Sequence, residues 1–385
     1  MPPRGQYYVS GKREQIATRL TFLIAGLGMA AWAPLVPYAK ERVGADNGTL
    51  GLLLLCLGLG SFIAMPITGL LTSRYGCRAV IVGSSACLAY MIPVLAAVDT
   101  PLHLAIALAV FGASVGSVDV AVNIQAVMVE KDSGRSMMSG FHGLFSLGGI
   151  VGAGGVSLAL GSGAPLPGVV FAVGGVLTVL LMLAYHGLLT YGNIEQEKTP
   201  TFVFPKGIVL VLGLLCFLSF MGEGAILDWS ALFLVSNHGV EQASAGLAYT
   251  SFAITMTIGR LLGDRIVTHL GGQRVVLFGG ALSAAGFALA FLANNHIAAL
   301  AGFALVGAGL SNIVPVFFTA AGRQTVLPAS LAVTAVFTLG YAGILLGPAM
   351  IGFIAQIWSL SFGILLLSIF MGFVAVVGPL AARVR

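Results

Sequence analysis

The sequence predicts an all-α membrane protein of twelve transmembrane helices, arranged as two pseudo-symmetric bundles of six helices. Three observations predict this fold class: the composition, a series of twelve long apolar segments, and a repeat of the first half of the chain in the second. Of the 385 residues, 58% are hydrophobic and only 8% are charged. A soluble domain carries roughly 25% charged residues. The composition therefore excludes a soluble globular fold.

The apolar segments have the length that a membrane demands. A spanning helix needs about 20 mostly apolar residues, because the hydrocarbon layer is roughly 30 Å thick and each helical residue rises about 1.5 Å. Twelve segments meet this requirement. They lie near residues 17–37, 49–71, 79–97, 102–128, 137–160, 167–190, 207–236, 243–267, 275–293, 297–321, 328–355 and 360–381.

The basic residues test this count, because Lys and Arg near the ends of spans accumulate on the cytoplasmic side of a membrane. With the N-terminus inside, only Lys40 and Arg42 of the 18 basic residues fall outside. A missed or extra helix would destroy this asymmetry, since every later loop would change sides. We predict a multi-pass protein of a bacterial inner membrane with both termini in the cytoplasm.

Other classes of function lack support in the sequence. The net charge is +5, but the basic residues are scattered at segment ends and form no face for nucleic acid. The four cysteines are not spaced as metal ligands. There is no nucleophile elbow and no phosphate-binding glycine loop after a strand. We expect no enzymatic activity, no metal and no cofactor.

The chain divides at a polar interval. The stretch from Tyr191 to Lys206 is the longest polar interval after the N-terminus, so we predict an N-terminal bundle at 1–190, a cytoplasmic linker at 191–206 and a C-terminal bundle at 207–385. The second half repeats the first at an offset near 195. Residues 44–51 (GADNGTLG) align with residues 239–246 (GVEQASAG), and residues 76–83 (GCRAVIVG) align with residues 272–279 (GQRVVLFG). Repeated halves place a substrate site at their interface in many secondary transporters.

The loop between the second and third spans carries a recognisable motif. Its sequence, GLLTSRYGCR, resembles the major facilitator signature Gly-x-x-x-Asp-Arg-x-Gly-x-Arg through Gly69, Arg74, Gly76 and Arg78. Ser73 stands where the signature has its acid. The resemblance implies that this loop latches the cytoplasmic ends of the helices, and the missing carboxylate weakens that expectation for the first half.

The corresponding loop of the second half resembles a looser copy of the signature that retains an acid. It contains Arg260, Asp264 and Arg265. The resemblance implies that Asp264, with Arg260 or Arg265, carries the latch.

Longer stretches narrow the resemblance. Residues 111–123, 140–146 and 222–229 are similar to the YbjJ and MosC-like group of the major facilitator superfamily, and the similarity covers the whole chain. It implies transport by alternating access, with sugar-like cargo suggested for some members. A glycine series on the fifth span resembles the antiporter motif of drug exporters, but Ala153 replaces its proline, which counts modestly against drug export.

Three acids lie deep in predicted spans: Asp119, Glu223 and Asp228. A charge at mid-span costs about 2.5 to 3.5 kcal/mol on insertion scales. We therefore take each of these residues first as a candidate functional residue. No Lys or Arg is placed deeply enough in the predicted spans to neutralise them. We expect Glu223 and Asp119 to couple transport to protons, because desolvation raises the pKa of a carboxyl towards neutral pH.

Structural alternatives stay open for these acids. For Asp119 the alternative is a close-packed contact between helices, made by small residues, in which the protonated carboxyl donates a hydrogen bond to a neighbouring backbone carbonyl. For Glu223 the alternative is a structural role, in which its side chain forms a hydrogen bond to the first or eleventh span. Its neighbours Gly222 and Gly224 favour function, because they weaken the helix and expose carbonyls that a substrate could use.

Further residues complete the predicted site. His142 titrates near neutral pH and is predicted to share a proton with Asp119, although a lone histidine near a helix end is more often a packed hydrogen-bonder. Amide, hydroxyl, carboxyl and aromatic side chains within the spans are of the kind that bind sugars or polyols. Helices also use such groups for contacts with one another. The predicted substrate-binding residues are Asn123, Asp228, Trp229, Trp32, Asn312 and Tyr341.

These observations predict a monomeric secondary active transporter that moves a small polar solute, sugar- or polyol-like, with protons. The alternative is a proton-driven exporter of amphipathic drugs or metabolites. A non-transporting sensor would carry appended domains or long loops, and this chain has neither.

Overall fold

The fold is all-helical throughout the part of the chain that the structure describes. The computed structural model describes residues 11–134, 137–192, 205–327 and 329–383, which form fifteen α-helices, one short 3₁₀ helix and no strand. The 3₁₀ helix is Ala33–Leu35. The α-helices are α1 Lys12–Ala30, α2 Val36–Arg42, α3 Asn47–Ala97, α4 Pro101–Ser133, α5 Met138–Gly161, α6 Leu166–Tyr185, α7 Ile208–His238, α8 Gln242–Ala245, α9 Leu247–Leu261, α10 Gly263–Leu270, α11 Gly272–Leu292, α12 His296–Leu310, α13 Ile313–Arg323, α14 Ala329–Ile357 and α15 Leu360–Ala381.

The helices account for the twelve predicted spans. In the described residues, 10 helical stretches are long and apolar enough to cross a membrane. One of them, α3, has 51 residues and holds two spans, because the backbone at Gly76 is not helical and divides it. The eighth span is split into α9 and α10 at Leu262, so neither piece alone has the required length. Most of the predicted linker, residues 193–204, lies outside the described residues.

Two of the predicted spans are interrupted, and one position that was expected to weaken a helix is intact. The first span breaks at Ala33–Leu35, beside Pro34. The tenth span breaks between α12 and α13 at Ser311 and Asn312. In contrast, α7 is continuous through Gly222 and Gly224. The expectation of exposed carbonyls there is corrected, because packing on both glycines holds the helix together.

The two halves repeat the same helix pairings. In the first half, α1 packs on α5 and α3 packs on α4 and α6. In the second half, α7 packs on α14, α9 packs on α12 and α11 packs on α15. The halves meet through α3 with α14 and through α5 with α9. A cavity at the centre of the molecule is therefore bounded by helices from both halves.

The contact between α3 and α14 is close at the predicted external face. A Cβ built on Gly51 would lie 3.0 Å from the Cα of Gly352. Nearby, the Gly48 amide donates to Oε1 of Gln356 at 3.3 Å. At Gly69, near the predicted cytoplasmic end, an added Cβ would meet nothing within 4 Å. We call Gly48, Gly51, Gly352 and Gln356 the external seal.

The contact between α5 and the segment that contains α9 loosens from the predicted external end to the predicted cytoplasmic end. A Cβ on Gly246 would lie 2.2 Å from Oγ of Ser157, a Cβ on Gly154 would lie 3.2 Å from Thr250, and a Cβ on Gly143 would lie 3.8 Å from Leu261. The halves therefore diverge from the predicted external face towards the predicted cytoplasmic face.

The loop that resembles the family signature binds the end of its own half. Gly76 has a φ of 83°, and a Cβ there would lie 2.2 Å from the Thr190 carbonyl oxygen. Nε of Arg78 donates to the Leu188 carbonyl at 3.0 Å, and its backbone amide donates to the Leu189 carbonyl at 2.7 Å. These bonds fasten the segment after α6 to the loop that follows the second span.

The remaining motif residues make local contacts. Ser73 donates to the Leu70 carbonyl at 2.8 Å, and the Arg74 guanidinium lies 5.3 Å from the ring centroid of Tyr75. Gly271, one residue before the Gly272 that aligns with Gly76, has a φ of 77° and turns the backbone at the corresponding point of the second half. Arg265 is exposed, and the side chain of Asp264 lies outside the described residues. The latch role of Asp264 stays a prediction.

Replacing Gly76 with Ala should destabilise the first half. The left-handed backbone is strained for an L residue, and the new Cβ would press on the Thr190 carbonyl. We expect a loss of roughly 1 to 3 kcal/mol in unfolding free energy, seen as a lower thermal midpoint of the purified protein. Gly83→Ala is the matched control on α3, since a Cβ there meets nothing within 4 Å. An unchanged midpoint for Gly76→Ala would contradict the described turn.

Candidate functional site

A cavity lies between the two halves, and we call it the interface cavity. Four helices line it, two from each half, and its walls are mainly small, aromatic and sulfur-containing side chains. The described lining residues are Gly26, Met29 and Ala30 of α1, Phe145, Ser146 and Gly149 of α5, Glu223 of α7, and Tyr249, Phe252, Ala253, Met256, Thr257 and Arg260 of α9. Its position matches that of substrate sites between transporter halves.

An ion pair crosses the interface cavity. Nη2 of Arg260 lies 3.1 Å from Oε1 and 3.3 Å from Oε2 of Glu223. This corrects the expectation that no cation reaches Glu223, and it places Arg260 in the cavity, away from the loop latch. The physical reason is the direction of helical side chains, which lean towards the N-terminus of their helix. Arg260 lies in the last turn of α9, so its side chain extends back towards the middle of the membrane.

The pair is partly open and leaves hydrogen-bonding capacity unused. The side chain of Arg260 is 41% exposed and that of Glu223 is 27% exposed, so both groups can meet water or a solute. The described bonds of Arg260 use Nη2 alone. Because a guanidinium has five N–H donors in a planar fork, most of the donors of Arg260 remain available.

His142 lies near Arg260. Its ring packs against Phe22 with centroids 5.1 Å apart, and it experiences the charge of Arg260. The described contacts of His142 do not include Asp119. The structure therefore places His142 beside the cavity pair, and the proton relay to Asp119 gains no support from it.

A buried polar group lies further along α7. Asp228 is 7% exposed, and Trp32 and Trp229 are fully buried. The Asp228 carboxyl interacts with the Trp32 indole, yet Asp228 Oδ1 and both indole nitrogens lack a partner in hydrogen-bond geometry. A buried polar atom without a partner costs about 1 to 3 kcal/mol. A water molecule or a substrate group that forms hydrogen bonds with these atoms would therefore be stabilised there.

Tyr249 connects the two polar groups, and sequence reasoning missed it. This tyrosine lines the interface cavity and interacts electrostatically with Glu223, Arg260 and Asp228. No local motif marks it, because a tyrosine on an apolar helix resembles an ordinary packing residue. Its spacing from Arg260 along α9 would have been a signal only if Arg260 had already been placed in the cavity.

A second cluster surrounds Asp119 and also joins the halves. Nδ2 of Asn123 donates to the Asp119 carbonyl at 2.8 Å and to Oδ1 at 3.2 Å. Ser61 of α3 and Tyr341 of α14 share a hydrogen bond of 2.8 Å between their hydroxyls, and Tyr341 experiences the charge of Asp119. The structure thus brings Asp119, Asn123 and Tyr341 together, as a site separate from Glu223.

Asn312 lies apart from both clusters. Its Nδ2 donates to the Gly259 carbonyl at 2.9 Å, so its amide ties the break in the tenth span to the end of α9. It lines a different cavity together with Arg323, within the second half. The structure does not bring it to the other predicted substrate-binding residues.

The fold and the site define a class of protein: two six-helix halves around a central cavity with an ionised pair are typical of membrane transporters. The chain belongs to the major facilitator superfamily. The model of that family matches residues 20–206. The predicted family is confirmed, and the family and its curated relatives are transporters and not enzymes.

Relatives and solved structures support this membership. An uncharacterized transporter of major facilitator type from Yersinia pestis is 57% identical over 91% of both chains. Membrane protein MosC of Rhizobium meliloti is 30% identical over 92% of this chain and 87% of its own length.

Solved structures match at low identity and support the fold alone. A variant of the nucleoside transporter NupG has a TM-score of 0.80 at 12% identity, covering 96% of this chain and 100% of its own. An inward-facing bacterial homolog of the lysosomal transporter Spinster has a TM-score of 0.69 at 14% identity, covering 96% of both chains. The predicted fold class is confirmed.

Proposed function

We propose that this protein is a secondary active transporter that moves a small polar solute, sugar- or polyol-like, across a bacterial inner membrane. It works by alternating access as a monomer, with both termini in the cytoplasm, and couples transport to protons through Glu223 and Asp119. The observation that carries the proposal is the ion pair between Glu223 and Arg260 in the cavity where both halves meet.

An ion pair at this position suits a proton-coupled step. A carboxylate held by a guanidinium resists protonation, whereas the same carboxylate released into a low-dielectric cavity accepts a proton readily. Any event that separates Glu223 from Arg260 therefore changes the proton affinity of Glu223. Glu223 and Arg260 both lie in the second half, so rocking of the halves as rigid bodies does not separate them. Arrival of a solute does, and it links proton binding to transport.

The Asp119 cluster supplies a second link between the halves. The hydrogen bond between Ser61 and Tyr341 spans α3 and α14, and it must break when these helices separate. Because Tyr341 experiences the charge of Asp119, protonation of Asp119 can alter that contact. We assign Asp119 to the coupling of protons to the movement of the halves.

Tyr341→Phe tests the inter-half hydrogen bond. Its loss removes about 0.5 to 1.5 kcal/mol from the closed contact. We expect a change in transport rate of a few fold, with solute affinity nearly unchanged, measured as initial uptake against solute concentration. Phe337→Leu is the control on the same helix, because it alters the aromatic stack with Tyr341 and removes no hydrogen bond. Equal effects of the two variants would contradict a role for the hydroxyl.

One observation favours the second candidate, export of amphipathic compounds. Phe145, Phe252, Met29 and Met256 give the interface cavity apolar walls, which suit an amphipathic cargo. Growth of an expressing strain on a panel of toxic compounds separates the two functions, since only an exporter confers resistance.

The direct test uses purified protein in liposomes with an imposed pH gradient. Thermal-shift screening against sugars, polyols and organic acids first supplies a solute, because a ligand stabilises the state it binds. We expect the pH gradient to drive uptake of that solute. Uptake that ignores the gradient, in the wild type and in Glu223→Gln and Asp119→Asn alike, would remove proton coupling.

A further inference from the structure

We propose that the transported solute is a hydroxylated organic acid whose carboxylate replaces Glu223 on Arg260, while Glu223 takes up one proton. This inference rests on the proposed transport function and narrows its substrate class. It begins with the unused capacity of Arg260. Its side chain is 41% exposed and lines the interface cavity, and its described bonds use one nitrogen of three. A planar guanidinium with free donors matches the geometry of a carboxylate.

The charge of the cavity sets the next step. Among the described residues that line the interface cavity, Glu223 and Arg260 alone carry full charges, and they cancel. A carboxylate that entered beside the intact pair would leave one uncompensated negative charge in a confined cavity with mainly apolar walls, which is unfavourable. If a solvent proton binds a carboxylate oxygen of Glu223, the incoming carboxylate restores neutrality with Arg260. One acid anion and one proton therefore enter together.

Other titratable groups near the pair fit this exchange. His142 and Arg260 repel each other when the imidazole is charged, so His142 favours an added negative charge on Arg260. Tyr249 is within electrostatic reach of Glu223, Arg260 and Asp228. Its hydroxyl can donate to an anion held by Arg260, whereas an ionised Asp228 would repel an anion at its own position. The anion is thus directed to Arg260 by the charges around it.

The remaining polar groups of the cavity suit hydroxyls. Ser146, Thr257 and Tyr249 supply hydroxyl groups on the cavity wall. They can donate to or accept from the hydroxyls of a short acid held by Arg260. A neutral polyol would have no charge with which to displace Glu223, and a cationic one would meet repulsion from Arg260.

The test compares three probes of similar size: D-gluconate, D-glucitol and 1-amino-1-deoxy-D-glucitol. Panels of shorter and longer hydroxy acids, with their neutral and amino counterparts, extend the series. Thermal shift of purified protein measures binding, and a pH indicator in weak buffer measures proton uptake on mixing. We expect acids alone to raise the thermal midpoint, with about one proton taken up per acid bound at neutral pH.

Variants separate binding from proton uptake. Glu223→Gln should bind the acid at least about tenfold more tightly without proton uptake, because the competitor for Arg260 has lost its charge. Arg260→Gln should lose acid binding, and Arg260→Lys should weaken it, since Lys keeps the charge without the fork. Arg323→Gln is the matched control, because Arg323 lines a separate cavity, and it should bind like the wild type.

Several outcomes would overturn the inference. These are stabilisation by neutral or amino probes and not by acids, no stabilisation by any acid, acid binding without proton uptake, and unchanged acid binding in Arg260→Gln. Failure of the acid inference can be told apart from failure of the transport proposal, which would show no gradient-driven uptake of any probe that binds. If a neutral probe binds and a pH gradient drives its uptake in liposomes, the acid inference fails and proton-coupled transport stands.

Discussion

Glu223→Gln should abolish accumulation of solute driven by a pH gradient while preserving exchange of solute across the membrane. Gln keeps the shape of the side chain and can still accept a hydrogen bond from Arg260, but it cannot carry a proton. The halves can therefore still rock around a bound solute, and only the coupling is lost. The measurement compares gradient-driven uptake with counterflow of labelled solute in the same liposomes.

An exposed acid, Asp99, is the control for this prediction, and Asp119 provides a second comparison. Asp99 lies outside the cavity and its side chain is 79% exposed, so Asp99→Asn should leave both activities unchanged. Asp119→Asn should reduce gradient-driven uptake too, because we propose that Asp119 acts on the contact between α3 and α14 through Tyr341. If Glu223→Gln still accumulated solute against its gradient, Glu223 would not be the coupling group.

Gly352→Leu should open the external seal and shift the protein towards an outward-facing state. A Cβ at Gly352 would lie 2.7 Å from the carbonyl oxygen of Asn47 and from the Cα of Gly51. These are backbone atoms, which cannot rotate away as a side chain can. Overpacking costs about 1 to 3 kcal/mol, and it is paid only while the seal is closed. An energy of this size corresponds to a population shift of roughly 5- to 150-fold.

Labelling from outside the cell measures this shift. A cysteine at Ser157, which is 2% exposed beside Gly246, reports opening in a background whose four native cysteines are replaced. We expect faster reaction with a membrane-impermeant maleimide in Gly352→Leu, together with a severe loss of transport.

Gly83→Leu is the control for the seal, because it adds the same side chain to α3 where nothing lies within 4 Å. Its labelling and transport should match those of the parent. Transport at the parent rate in Gly352→Leu would show that the halves do not close through this contact.

The membrane explains why so much of the fold follows from the sequence. Peptide groups in lipid must be satisfied within helices, so each apolar segment of about 20 residues predicts one span with little ambiguity. The low polarity of the membrane also identified Asp119, Glu223 and Asp228 as candidates, because an acid within a span is costly and such residues are usually functional. Positions that break helices were harder to foresee. The glycines around Glu223 suggested a weakened α7 with exposed carbonyls, but this helix is continuous, and the first and tenth spans are interrupted instead.

The sequence by itself determined the number of spans, the two repeated halves and the acids that lie within the membrane, since each depends on local composition and its match to the bilayer. Only the tertiary structure decided which groups these acids meet. Glu223 and Arg260 are 37 positions apart, and their contact depends on the relative height of two helices and on an arginine that leans back from its helix end. For the same reason, the structure places Tyr249 in the site and places Asn312 outside it. Contacts between helices depend on rotation and depth, which no single segment encodes.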